Sequence, residues 1–363
     1  TLPRSQLSEQ LLREPSLFQL WGLSAGSFNR LDYTHGLLMP MMPNIMRNSI
    51  NRWTSSIFLV LISSLLTIAC HSLDTQSSDT LTASISDCRE VQHKLGTICI
   101  PTEPERIVAL DPRHLADPLL ALGVKPVGMA VPIYQGNEGL LGLTPEHIEG
   151  IENIGDAYQP SMEKILGLDP DLILAMDFAH DQVYEQLSAI APTILIDYES
   201  NSSFKQNLRY LAQIFNKDAE AENVISQYQN RIDELKSQLD VDPKEMEVTV
   251  LIHVGGQFLV TSSYHTTHEV FSDIGLINKI LPGRGENTIS LEVIEQYDAD
   301  ILFIMDYEQE EESFFLENPL IAALEAVKND RVYFVDPDKW SAHGPIGVNR
   351  MLDDLFTYLP KKS

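Results

Sequence analysis

From residue 106 onward, short unbroken apolar runs alternate with longer stretches of helical period. Arg106 to Asp111, Val124 to Val131, Leu172 to Met176 and Thr193 to Asp197 predict strands with buried apolar centres. A helix ending at Leu122 with Gly123 as its stop, and another around 181–190, fall between them. Short buried strands alternating with helices predict a parallel α/β sheet. Residues 204–240 hold the most persistent helical period, with Val224, Tyr228, Ile232, Leu235 and Leu239 on one face. Asp218 can cap this stretch, and Asp242-Pro243 stops it. The strand–helix pattern then restarts. Strands are expected over 247–254, 258–261, 301–306 and 331–336, and helices over 267–274, 318–327 and 348–359.

One phrase occurs twice. Ser161, Glu163, Ile165, Asp171, Met176 and Asp177 return at Ser290, Glu292, Ile294, Asp300, Met305 and Asp306, always 129 positions later. A register kept through six identities suggests two related lobes. The helix between the copies is then a candidate bridge, with packing on a single lobe as the alternative. The expected fold is α/β, with two Rossmann-like lobes of parallel strands joined by one long helix and a ligand cleft between them. The boundaries read as 88–217 and 243–363 for the lobes and 218–242 for the bridge.

The stretch before residue 88 has a different texture. Residues 1–45 show no clear period and read as an extension. Residues 46–70 read as a signal peptide. Arg47 and Arg52 precede an apolar run of 13 residues, Ile57–Ala69, too short to span a membrane. Leu66-Thr67-Ile68-Ala69-Cys70 resembles a bacterial lipobox, which would make Cys70 the lipidated residue; an uncleaved anchor is the alternative. Residues 71–87, rich in Ser, Thr and Asp, read as a tether. Cys88 and Cys99 then remain, either as a disulfide, which export permits, or as two free thiols.

Charge narrows the partners. The chain carries a net −27, and the part beyond residue 70 holds 20 basic against 49 acidic residues. Such a body repels nucleic acid and anionic membrane faces, so an anionic ligand needs a local cationic pocket. In open α/β sheets ligands lie beyond the carboxyl ends of the strands. The residues there are Arg113, His114, Tyr134, Asp177, Phe178, His180, Tyr264, His265, Arg284, Trp340 and His343. Beyond residue 70 there are eight arginines and one tryptophan, and Arg113, Arg284 and Trp340 all fall in these loops. Arginine suits oxygen-rich anions through paired hydrogen bonds, and Tyr and Trp supply flat walls. Catalytic motifs are missing: no G-x-S-x-G, no P-loop and no G-x-G-x-x-G after a strand occurs. No cofactor is expected. Glu163 and Glu292 each open a helix that precedes a strand, which would put them on the amino side of the sheets, away from the cleft. They read either as helix-end carboxylates or as one contact per lobe for a two-fold partner.

From Cys88 to the end the chain resembles the substrate-binding lipoproteins of ABC importers for ferric siderophores and cobalamin. The likeness rests on Pro104-Glu105-Arg106-Ile107-Val108-Ala109-Leu110, on Leu119 to Gly128, and on Met162-Glu163-Lys164-Ile165. Pro170-Asp171-Leu172-Ile173, Ile190-Ala191-Pro192-Thr193, Ala326 to Tyr333 and Leu352-Asp353-Asp354-Leu355 extend it. The Cys88–Cys99 segment and the 104–128 stretch look like the iron-uptake branch, with a cyanobacterial flavour. The resemblance implies a monomeric, non-enzymatic periplasmic carrier, lipid-anchored to the membrane, with small lobe motions. It implies a ferric siderophore as ligand, and Glu163 and Glu292 docking on the two permease subunits that work with an ATPase. Arg113, His114, Arg284, Tyr134, Tyr264 and Trp340 are then the expected ligand contacts. A cobalamin carrier is one rival. A free-metal binder using His114, His265, His268 and His343 is another, and an enzyme acting on the siderophore is a third.

Overall fold

The computed structural model describes residues 88–134, 136–281 and 287–362. The signal region with Cys70, the extension 1–45, the tether and Arg284 lie outside these residues.

The first lobe opens with an antiparallel pair, β1 (Cys88–His93) and β2 (Gly96–Pro101), turning at Gly96 and closed by a Cys88–Cys99 disulfide. The oxidised pair is therefore the form present. Next come β3 (Ile107–Ala109), β4 (Gly128–Val131), a small hairpin of β5 (Ile133–Tyr134) and β6 (Asn137–Glu138), β7 (Glu152–Asp156), β8 (Gln159–Pro160), β9 (Leu172–Met176) and β10 (Thr193–Ile196). The main sheet has the order β10-β9-β3-β4-β7-β8 and is parallel except for β8. β9 and β10 are buried at every residue, as their unbroken apolar runs require.

The second lobe contains β11 (Glu247–Val254), β12 (Gln257–Val260), β13 (Ile277–Asn278), β14 (Asn287–Ile289), β15 (Ile301–Asp306) and β16 (Val332–Val335). Its sheet runs β14-β12-β11-β15-β16, with β13 also on β11. It is mixed, not parallel as expected: β12 is antiparallel to both β11 and β14. The cause is a tight hairpin at Gly255-Gly256, both at positive φ, where glycine alone is unstrained.

Six helices position the site: α1 (Asp117–Ala121), α2 (Met162–Gly167), α3 (Phe204–Phe215), α4 (Asp218–Gln238), α5 (Thr266–Ile274) and α6 (Pro345–Tyr358). The long helical period of 204–240 is two helices, because Asn216 turns left-handed at φ 54 and ends the first. α4 packs on both lobes. Ala221, Val224 and Ile225 join the first lobe's core, while Tyr228, Ile232 and Leu235 join the second's.

The lobes also meet directly. The buried Asp117 accepts hydrogen bonds from Ile346 N (2.9 Å) and Gly347 N (2.8 Å), capping α6 from the other lobe. Gly344 allows this approach, since a Cβ there would stand 2.1 Å from Asp117 Cγ. Ile346 packs into the first lobe's core, and Arg350 donates to the carbonyls of Gly142 and Leu143. At the other end, Glu269 accepts from Ser203 Oγ and Phe204 N at the start of α3.

Candidate functional site

The carboxyl ends of the strands bring the candidate residues together. After β3 the chain makes a π-helical turn, Pro112–Ala116, capped by Asp111, whose Oδ1 accepts from His114 N at 2.7 Å. The same oxygen lies 2.9 Å from His114 Nδ1, which fixes the imidazole. The turn projects Arg113. Its Nε is buried without a hydrogen-bond partner, which is costly unless a further group supplies one.

Aromatic rings gather around it. His114, Phe178 and Tyr198 form a mutual edge-on cluster, with centroids 5.2 to 5.7 Å apart. The second lobe closes on this cluster. The His343 ring lies 4.4 Å from that of His114, and Tyr198 Oη donates to the carbonyl of Tyr264 at 3.3 Å. Higher in the cleft, Tyr134 of β5 and Tyr307, just after β15, face each other at 6.0 Å.

Burial disfavours ionising Asp111, but His114 and Arg113 more than offset that, and the carboxyl titrates well below the usual carboxylate range. Burial likewise works against Arg113, but Tyr134 and Asp111 reverse the effect and raise its affinity for the proton. The imidazoles go the other way. Burial lowers His114 despite Asp111, and burial with Arg113 nearby brings His265 down to about 4. His343 lies well below its ordinary value, from burial and then from His114 and Arg113. Its Nδ1 is 2.6 Å from Thr266 Oγ1, while its Nε2 is buried and unpartnered. Among the described residues, the Arg113 guanidinium thus lies beside the Asp111 carboxyl, with His114, His265 and His343 all shifted toward the neutral form.

Tyr134 closes β5, and His114 lies against His343; Tyr264 follows β12, whose antiparallel course takes its carboxyl end the other way, yet the Tyr264 carbonyl reaches Tyr198 of the first lobe. Trp340 does not reach the cleft. It is fully buried in the second lobe's core, its ring 4.8 Å from Phe303 and its Nε1 donating to Asp354 at 2.9 Å. The chain after β16 folds into a short helix, Pro337–Trp340, which turns the indole inward. His180 is also structural, held by the carbonyl of Ala157 and the backbone of Met176. His268 lies beside Asn278. Among the described residues no three His, Cys, Asp or Glu side chains gather to hold an ion. Tyr158, Tyr198 and Tyr307 were not singled out from sequence. Each follows the carboxyl end of a strand, the signal that found Arg113.

The two repeat acids need a correction of position. Ser161 N donates to Ile154 O, at the middle of β7, and α2 then runs back toward Arg106, whose Nε donates to Leu168 O. Ile289 pairs with Phe258, and Phe258 with His253 near the carboxyl end of β11. From Ser290 a 3-10 turn, Leu291–Tyr297, runs back along the sheet until Tyr297 O accepts from Thr249. A segment leading into a strand runs antiparallel to it, so its first residues lie toward the strands' carboxyl ends. Glu163 and Glu292, both exposed, thus lie toward the cleft end and not the amino side. Ser161 and Ser290 are the capping residues, through Lys164 N and Glu292 N.

A family model described as periplasmic binding protein matches residues 107–339. The probable siderophore-binding lipoprotein YfiY of Bacillus subtilis (strain 168) is 31% identical over 325 residues, 85% of this chain and 98% of its own. The ferric-anguibactin-binding protein FatB of Vibrio anguillarum is 31% identical over 284 residues, 73% of this chain and 86% of its own. Among solved structures, siderophore binding protein BauB, bound to a complex of two acinetobactin molecules and ferric iron, aligns with a TM-score of 0.58. Its identity is 29%, over 74% of this chain and 98% of its own. Staphylococcus aureus SirA, complexed with staphyloferrin B, shares the fold with a TM-score of 0.62 at 24% identity, over 74% of this chain and 98% of its own.

Proposed function

Because the chain belongs to the periplasmic binding protein family, we propose that it captures a ferric siderophore and delivers it to an ABC permease for iron uptake. The observation that carries this reading is Arg113, whose buried, unpartnered Nε lies among groups that include Tyr134, Tyr198 and Asp111, beside the contact of His114 with His343 of the other lobe. The siderophore supplies the iron's ligands. The protein supplies shape, the guanidinium on ligand oxygens, and phenol and ring surfaces; it performs no chemistry on the ligand. Tyr134, Tyr198, Tyr264 and Tyr307 form the walls, with His114 and His343 between the lobes. Relatives named for siderophores, ferric anguibactin and ferric dicitrate support the ligand class.

Delivery follows from the position of the acids. Glu163 and Glu292 lie toward the carboxyl ends of the two sheets, one per lobe, and dock on basic residues of a permease dimer driven by its ATPase. That contact sets the cleft over the transport path. A lipid on Cys70 tethers the monomer to the membrane in the periplasm, as expected of a relative named a lipoprotein. The test is a mass-spectrometric screen of what the protein retains when purified natively, followed by equilibrium dialysis against ferric siderophores and cobalamin. An organic iron chelate is expected. Retained cobalamin, or metal surviving a chelator wash without an organic partner, would replace this reading.

A further inference from the structure

Resting on the carrier reading, we propose that Lys94, at the tip of the disulfide-closed hairpin, is a positioning residue for the ligand cleft. It holds the Asp177 carboxylate, which in turn sets the backbone of Phe178 and Tyr198. It acts on the ligand only through that carboxylate.

The hairpin is held so as to present this residue. The Cys88–Cys99 bond closes its open end, and Val91, Ile98 and Ile100 pack into the first lobe's core. The tip lies on β10, the edge strand of the main sheet. Lys94 N donates to Leu195 O at 3.0 Å, and Leu195 N donates to His93 Nδ1 at 3.2 Å. The tip thus occupies both backbone groups of Leu195, as a neighbouring strand would. This fixes the Lys94 backbone within reach of the carboxyl ends of β9 and β10.

Those ends carry two carboxylates side by side. Met176 and Ile196 are partners in the sheet, and Asp177 and Asp197 are the next residues along each chain. Like charges so placed repel. Lys94 Nζ bridges them, 2.7 Å from Asp197 Oδ1 and 3.3 Å from Asp177 Oδ2. The other oxygen of Asp177 serves the backbone: Oδ1 accepts from Phe178 N at 2.8 Å and from Tyr198 N at 3.2 Å. One carboxylate therefore ties the segment after β9 to the segment after β10. The rings of Phe178 and Tyr198 stand edge-on to His114, and Tyr198 Oη crosses to the Tyr264 carbonyl of the second lobe. Without the cation, the two acids repel each other across this tie, and the rings lose a common anchor. The Lys94 side chain is 38% exposed, and ion pairs so exposed add little to global stability. The loss should then register in the cleft rather than in the fold.

The test compares the whole purified protein with Lys94→Met, which removes the charge from a long side chain, and with Lys94→Arg as the rescue. Equilibrium dialysis against ferric citrate, a ferric trihydroxamate and a ferric tricatecholate measures affinity. Amide hydrogen exchange of the unliganded protein measures the tie. Lys94→Met should weaken the chelate that wild type binds most tightly by about fivefold or more. It should speed exchange at Phe178 N and Tyr198 N about tenfold relative to amides inside β9 and β10. Lys94→Arg should restore both, since a guanidinium can bridge two carboxylates. Unchanged affinity or unchanged exchange in Lys94→Met would overturn the positioning role and leave the carrier reading in place. Exchange that rises throughout the first lobe, with a lowered unfolding midpoint, would also overturn it. A wild-type protein that binds none of the three chelates would remove the carrier reading, and the exchange rates alone would then decide whether Lys94 holds the tie.

Discussion

Arg113 and Trp340 read alike in the sequence, each a rare side chain just past a strand, and the structure separates them. Arg113 leaves a tight turn that Asp111 caps through His114 N, and its Nε is buried without a partner. Trp340 leaves a short helix that packs its indole against Phe271 and Phe303. The end-of-strand rule locates loops, but side-chain direction depends on the next few backbone angles, which composition does not reveal. Trp340→Phe should therefore cost about 1–3 kcal/mol of stability, through the lost bond to Asp354 and looser packing. It should leave ligand affinity unchanged. Chemical denaturation and titration of the same variant check both halves, and a large loss of affinity at unchanged stability would return Trp340 to the cleft.

Among the elements, the repeat was legible because both copies keep a buried strand behind a serine cap, at Ser161 and Ser290. The break at Asn216 and the Gly255-Gly256 hairpin were also written locally, in residues that tolerate positive φ. The cap that Asp117 places on α6 was not, since its partners lie in the other lobe and leave no periodic trace. Burial pushes the Asp117 carboxyl up to about 7, against the pull of the Gly347 and Ile346 amides and Arg350. A carboxyl raised above its unfolded value contributes most stability below the ordinary carboxylate pKa, and that contribution is lost as pH rises through 7. The wild-type protein should thus lose stability relative to Asp117→Asn between about pH 4 and pH 8. Denaturation midpoints across that range test this, and a constant difference between the two proteins would refute it.

For the molecule as a whole, two lobes and a connecting helix were readable from period and repeat alone. The direction in which the two acids face was not, because it depends on how each segment returns along its sheet. Glu163 and Glu292 lie toward the cleft end, so a partner that binds them covers the mouth. Reversing both, Glu163→Arg with Glu292→Arg, should cut iron uptake by at least about tenfold, because charge complementarity governs encounter and register. Siderophore affinity should stay within about twofold of wild type, since neither acid touches the floor. Uptake assays in cells beside titration of the purified variant separate the two effects, and lost affinity would place the acids inside the cleft.

The clamp between the lobes has a consequence for traffic at the membrane. Opening the cleft widely would strip a buried carboxylate of both its amide donors and pull Ile346 out of the opposite core. On the proposed docking, an unloaded copy would therefore keep nearly the outline of a loaded one and offer the same two acids. Shape alone gives a docking partner little with which to tell a full carrier from a spent one. Empty copies would then queue for the same berth, and throughput would depend on how many carriers are loaded as much as on how many are made.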